Sequence, residues 1–271
     1  MSKNIIVMGD SVSIRTAKDD SDKLNLLSKI NSHIQKNYPD SSVANFAGSG
    51  FNFRHFSKYL LSEKKLITGE CVVVAPLNLR SFSHQWSLSK KWNYDNLYLN
   101  EGRSIVRDKW KLYESYFTDL IPFEYVGNIS RSNREFRHCF LSNSSRESKY
   151  AEIFIFHYGF ITPSRQMRLA YENFLTICSA SRQTKLILYF TPINFGGMRL
   201  LSLENICENI IELKVKLMSL ACEYDRVYPL DLSEILRKNS FFHEYEPTEH
   251  LNQHGREQVM TALEKNFKEI F

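Results

Sequence analysis

The chain has 271 residues, of which 43 % are hydrophobic and 24 % charged, with a formal net charge of +5. That composition is ordinary for a globular protein large enough to bury a real core, and it shows no internal repeat, heptad array or glycine-rich phosphate loop. No apolar run reaches the roughly 18 residues that a membrane span needs, so a cytoplasmic, membrane-free protein is expected. Met1-Ser2-Lys3-Asn4 runs straight into a strand pattern and has no signal-peptide apolar region. The five cysteines, Cys71, Cys139, Cys178, Cys207 and Cys222, are odd in number, scattered and never spaced as Cys-x-x-Cys. Buried thiols are expected of them in place of disulfides or zinc ligands. The pI near 8.8 is mildly basic. Arg103, Arg107, Lys109, Lys111, Arg131, Arg134, Arg137, Arg146 and Lys149 concentrate that charge in the middle third. A solvated face accounts for them more simply than a nucleic-acid partner does.

Short apolar runs alternate with amphipathic stretches along the chain. Residues 5–8 (Ile5-Ile6-Val7-Met8) have strand length and composition, and Gly9-Asp10-Ser11 follows as a tight turn with a helix expected just beyond Ser11. Leu24, Leu26, Leu27, Ile30 and Ile34 place a helix over 23–35, and 43–46 is a second strand ending in Ala47-Gly48-Ser49-Gly50. Residues 71–75 form a third strand, after which comes Pro76-Leu77-Asn78-Leu79-Arg80. Further strands are expected at 153–156, 186–190 and 227–230, with helices at 165–179, 204–224 and 253–267. Strands alternating with helices imply an α/β protein, a three-layer α/β/α sandwich around a parallel sheet of flavodoxin-like type. The stretch from about 81 to 149 breaks the alternation and mixes Trp86, Trp92, Tyr94, Tyr98, Trp110, Tyr113, Tyr116, Phe117 and Tyr125 with basic residues. It reads as an insertion in a single domain spanning 1–271, a mostly helical cap whose aromatics form either its own small core or a platform for rings or sugars.

In such a sheet, ligands sit beyond the carboxyl ends of the strands, and three of the segments above fall there. Ser11, on a sharp strand-to-helix turn, is a candidate nucleophile, favoured by the positive end of the helix that follows. A glycine amide of Gly48-Ser49-Gly50 and the Asn78 side chain, delivered from neighbouring strands, are suitable donors to a tetrahedral oxyanion, with a plain turn for the glycines and a helix cap for Asn78 as the alternative roles. His250 lies late in the chain, in the polar stretch Glu246-Pro247-Thr248-Glu249-His250-Leu251-Asn252-Gln253-His254-Gly255 just before the last amphipathic helix, where a general base belongs. Asp10 is expected to stabilise its own turn, Asp231 to cap the segment after its strand, and His254 to lie at the surface. Tyr189, Asn194 and Arg80 are candidates for the pocket mouth.

The order Gly-Asp-Ser, Asn…Gly, Asn and His-Leu-Asn, with a glycine five residues after the histidine, resembles the SGNH/GDSL hydrolase family across nearly the whole chain. The resemblance implies Ser11 as nucleophile, the Ser11 and Gly50 amides with the Asn78 side chain as oxyanion hole, and His250 as general base. It implies hydrolysis of a small acyl ester through an acyl-enzyme, with no metal or cofactor and with O-acetyl on a carbohydrate as the expected substrate. Pro76-Leu77-Asn78-Leu79-Arg80-Ser81-Phe82-Ser83 and Tyr189-Phe190-Thr191-Pro192-Ile193-Asn194 look like a bacterial branch found among surface-polysaccharide genes. Two blocks depart from the family pattern. Pro76 and Leu79 replace the outer residues of Gly-x-Asn-Asp, so the hydrogen bonds that orient Asn78 must come from elsewhere. Pro247 occupies the place of the family acid three residues before the histidine. Glu246 is the nearest substitute if the loop carries one extra residue, with Glu249, Glu244 or a backbone carbonyl as alternatives. The same constellation also serves an O-acyltransferase, and from another class the chain could be a catalytically inactive module binding an anionic partner.

Overall fold

The computed structural model describes residues 3–67, 69–83, 147, 150–151, 154, 157–158, 165–247 and 249–271. Five parallel strands, β1 (Asn4–Gly9), β2 (Ser42–Ala47), β3 (Cys71–Leu77), β4 (Thr184–Phe190) and β5 (Val227–Asp231), form one sheet in the order β2-β1-β3-β4-β5. This is the flavodoxin-like order. Every residue of β3 is buried, as a central strand covered on both faces requires, whereas β2 at the edge is nowhere fully buried.

Around the sheet run α1 (Ser11–Ile14), α2 (Leu26–Asn37), α3 (Phe53–Ser62), α4 (Lys64–Ile67), α5 (Arg165–Ser179), α6 (Phe195–Leu200), α7 (Glu204–Cys222) and α8 (Gln253–Ile270). The alternation of side chains along each strand divides the apolar interior in two. Ile5, Val7, Val72, Val74 and Ile187 pack on Leu26, Ile30 and Ile34 of α2 and on Val259, Leu263 and Phe267 of α8. Ile6, Met8, Val73, Leu186 and Leu188 pack on α3, α5 and α7, where Phe53 lies 4.9 Å from Tyr171 and 5.3 Å from Phe174 between ring centroids. Two cores on opposite faces of one sheet make the three-layer sandwich.

Some boundaries differ from the sequence reading. The helix expected over 23–35 begins at Leu26, because Asn25 accepts from the Ser28 amide at 2.8 Å and caps it, leaving Leu24 outside and exposed. The strand expected at 153–156 is not seen at the one described residue of that run: Phe154 is helical and lies in the core, with helical His157 and Tyr158 buried beside it. A four-residue apolar run does not separate a strand from a buried helix segment, and the burial of 154, 157 and 158 has the helical i, i+3, i+4 spacing. Cys71, Cys178 and Cys207 are buried and unbridged as expected, but Cys222, at the last turn of α7, is exposed. Cys139 and nearly all of the 81–149 insertion lie outside the described residues. No helix among them is long and apolar enough to cross a membrane.

Candidate active site

Because β1 lies between β2 and β3, the carboxyl ends of three adjacent strands deliver the three early segments side by side. The β1 end carries Asp10 and Ser11. Asp10 caps α1, its Oδ1 accepting from the Val12 amide at 3.0 Å and the Ser13 amide at 3.3 Å. Ser11, 5 % exposed, is the first residue of that helix, which is a single turn and adds little dipole. At the β2 end, Gly48 donates its amide to Gly9 O at 3.2 Å, drawing the loop onto the β1 turn. Gly50 follows at φ 80°, a left-handed backbone that a side chain would disfavour. At the β3 end stands Asn78, 5 % exposed.

Asn78 is held from both sides. Its Oδ1 accepts from the Arg80 amide at 3.0 Å, capping the 3₁₀ turn at Leu79–Phe82, and its Nδ2 donates to Asp10 Oδ2 at 3.0 Å. Asp10 thereby supplies an orienting hydrogen bond to Asn78 from outside the Pro76-Leu77-Asn78-Leu79 segment, in addition to the turn role expected of it. An amide nitrogen carries two protons, so Asp10 engages one N–H of Asn78 and the other is left on the side that Glu249 faces.

His250 sits on the far loop, 7 % exposed. An antiparallel bridge between Phe241 and Leu251 brackets it, and its carbonyl accepts from the Phe242 amide at 2.9 Å. Asn252 caps α8 through the Gly255 amide and donates Nδ2 to Asn239 O at 2.7 Å and Phe241 O at 2.9 Å. Gly255 must be glycine here, since a Cβ would meet Ser240 O at 2.1 Å. Glu246, 6 % exposed, places Oε1 3.7 Å from His250 Nδ1 and Oε2 3.0 Å from His243 Nε2. Asn194, the N-cap of α6, donates Nδ2 to Glu244 O at 2.9 Å and Glu246 O at 3.3 Å, clamping that backbone. Burial lowers the His250 pKa to about 4, with Arg80 and Arg15 acting in the same direction and Glu246 opposing them. The imidazole is therefore a neutral acceptor at physiological pH.

The other candidate acids stand elsewhere. Glu244 pairs with Lys238 at 3.0 Å on the surface. Glu249 is 0 % exposed, with Oε2 3.9 Å from Arg80 Nη2. Asp231 accepts from the Ser233 amide at 3.0 Å and pairs with Lys214, and His254 is exposed. Tyr189 is buried, its hydroxyl 3.4 Å from Ser13 Oγ, and Arg80 is buried as well, so neither lines an open mouth.

Sequence reasoning missed His157, whose buried ring places Nδ1 3.0 Å from Pro247 O. It lay hidden because the apolar run before it reads as a strand. Reasoning also missed Arg256, fully buried, which donates to Asp20 Oδ2 at 2.6 Å, Leu24 O at 3.0 Å, Asp22 O at 2.8 Å and Leu251 O at 2.9 Å. These bonds tie the segment after Ser11 to the residue after His250. An arginine in an amphipathic helix carries no sign of such a role in the sequence.

No protein-family model and no curated protein matches the chain. Solved structures do. A lipase/acylhydrolase from Enterococcus faecalis is 12 % identical, with 98 % of this chain and 95 % of that one covered at a TM-score of 0.44. A catalytic mutant of Axe2, an acetylxylan esterase from Geobacillus stearothermophilus, is 10 % identical over 98 % and 94 %, at 0.46. LAE5, an alpha/beta hydrolase from the metagenome of Lake Arreo, is 8 % identical over 100 % and 98 %, at 0.44. With TM-scores below 0.5, function has to be read from the site itself.

Proposed function

We propose that this chain is a serine carboxylic ester hydrolase of the SGNH/GDSL type. The observation that carries the reading is the convergence at one sheet edge of Ser11, Gly50 and an Asn78 fixed by Asp10, with a neutral, buried His250 on the adjoining loop beside Glu246. His250 takes the Ser11 proton as Oγ attacks the ester carbonyl, and the carbonyl oxygen, now negative, is held by the Ser11 and Gly50 amides and the second Asn78 N–H. Collapse of the tetrahedral intermediate expels the alcohol, protonated by His250, and water admitted to the same base releases the acyl group. Glu246 steadies the imidazole and its charge as a positioning residue, the task of a triad acid. A small acyl group such as acetate on a carbohydrate is the proposed substrate, a choice that rests on the sequence resemblance.

The test is hydrolysis of p-nitrophenyl acetate by wild type and Ser11→Ala, with folding of both checked by circular dichroism. The reading expects at least about a hundredfold loss in the folded variant, the low end for a triad member. An unchanged rate would overturn the assignment of Ser11, and no hydrolysis by either protein would turn the search to a specific acyl acceptor or a binding role.

A further inference from the structure

The residue before His250 has no part in the mechanism above, yet it is the most completely buried acid of the site. Glu249 adopts φ 60°, a left-handed backbone that is strained for a residue with a side chain and that clusters at functional positions. The residue is 0 % exposed. Neither carboxyl oxygen closes an ordinary hydrogen bond among the described residues, and Arg80 Nη2 stands at 3.9 Å. The groups facing it come from three segments: Asp10 from the β1 turn, Asn78 at the end of β3, and Arg80 from the 3₁₀ turn. Next to these, His157 faces Arg80 and His250, while Glu246 and Arg15 face His250.

Asn78 has one N–H committed to Asp10 Oδ2 at 3.0 Å. Resting on the ester-hydrolase reading, we infer that Glu249 is a positioning residue for Asn78: uncharged, it leaves the second Asn78 N–H to the oxyanion, and ionised, it draws that N–H to itself. An ionised Glu249 also sets a second negative charge beside Asp10 where negative charge must develop in the transition state. Burial, reinforced by Asp10 and opposed by Arg80 and Asn78, raises the carboxyl's pKa to about 7, so the exchange falls in the neutral range. The ester hydrolase is therefore more active below neutrality than above it, down to the point where His250 protonates.

The experiment is the pH profile of kcat/KM for p-nitrophenyl acetate, corrected for spontaneous hydrolysis, in wild type, Glu249→Gln and Arg80→Gln, with Ser11→Ala as blank. Between pH 6 and pH 9 the wild-type value is expected to fall more than about tenfold, and that of Glu249→Gln less than about threefold relative to its own pH 6 value. Arg80→Gln removes the cation that favours the ionised carboxyl, so its decline moves to higher pH by about 1 unit. A merely structural Glu249 would change rates without moving this limb. A wild type with no alkaline decline, a decline retained in Glu249→Gln, or one unmoved in Arg80→Gln overturns the inference; the arginine variant decides if Glu249→Gln does not fold. Wild-type hydrolysis no faster than that of Ser11→Ala overturns the underlying reading instead.

Discussion

Asp10 Oδ2 accepts a hydrogen bond from Asn78 Nδ2 at 3.0 Å, joining the carboxyl ends of β1 and β3 through two buried side chains. The other oxygen of the same carboxylate caps the turn that presents Ser11. One residue thus sets both the turn of the proposed nucleophile and the aim of the proposed oxyanion donor.

Asp10→Asn keeps the shape and the cap, but its Nδ2 then stands where Oδ2 accepted from Asn78, so two donors face each other and that charge-assisted bond is lost. Turnover of an activated ester should drop about tenfold to a hundredfold with KM little changed, because the lost interaction serves the transition state. Steady-state kinetics separate the two parameters. A rise in KM at constant kcat would mean that Asp10 serves binding instead.

The His250 imidazole, held neutral down to about pH 4, should give kcat/KM an acid limb well below the ordinary histidine value of about 6.5. The sign follows from burial disfavouring the cation: the folded protein binds this proton less readily than the unfolded chain, so stability also declines as pH falls from about 6.5 toward 4. Rate profiles paired with denaturation at each pH check both. An acid limb at 6.5 would place the imidazole in solvent.

Glu246→Gln should lower turnover at least about tenfold, yet by less than the ~10⁴ known for a triad acid in tight contact. The 3.7 Å separation from His250 Nδ1 is too long for a strong hydrogen bond, which is the reason for the smaller expectation. Removing a neighbouring negative charge should also move the acid limb further down. A limb that stays in place would mean that Glu246 does not act on His250.

Arg256→Met should destabilise the protein by about 3 kcal/mol or more, since it leaves Asp20 without its buried partner. Denaturant titration measures this. Because the same guanidinium joins the segment after Ser11 to Leu251, the folded variant should also turn over more slowly at unchanged substrate affinity. A loss of stability with wild-type kcat would confine Arg256 to the scaffold.

The sheet was legible because β1, β3, β4 and β5 each hold an apolar run of four or more residues, the pattern a parallel sheet buried on both faces imposes, while the edge strand β2 is interrupted by Asn45. Leu186 to Phe190 and Val227 to Leu230 read this way directly. The run at 153–156 did not, since four apolar residues are too few to show the period that distinguishes helix from strand. Ser11, Gly50 and Asn78 could be placed at one sheet edge because each follows a short strand in a turn. What holds them was hidden: Asp10 with Asn78 spans 68 residues, Arg256 with Asp20 spans 236, and Asn194 reaches Glu246 across 52. Such bonds depend on strand order, which local sequence does not encode.

The central claim, a serine nucleophile raised by His250, is tested most directly with a fluorophosphonate probe and peptide mapping of the labelled protein. One adduct should form on Ser11, be abolished in Ser11→Ala and form at least about a hundredfold more slowly in His250→Ala. An adduct on another residue, or a folded wild type that takes no label, would contradict it.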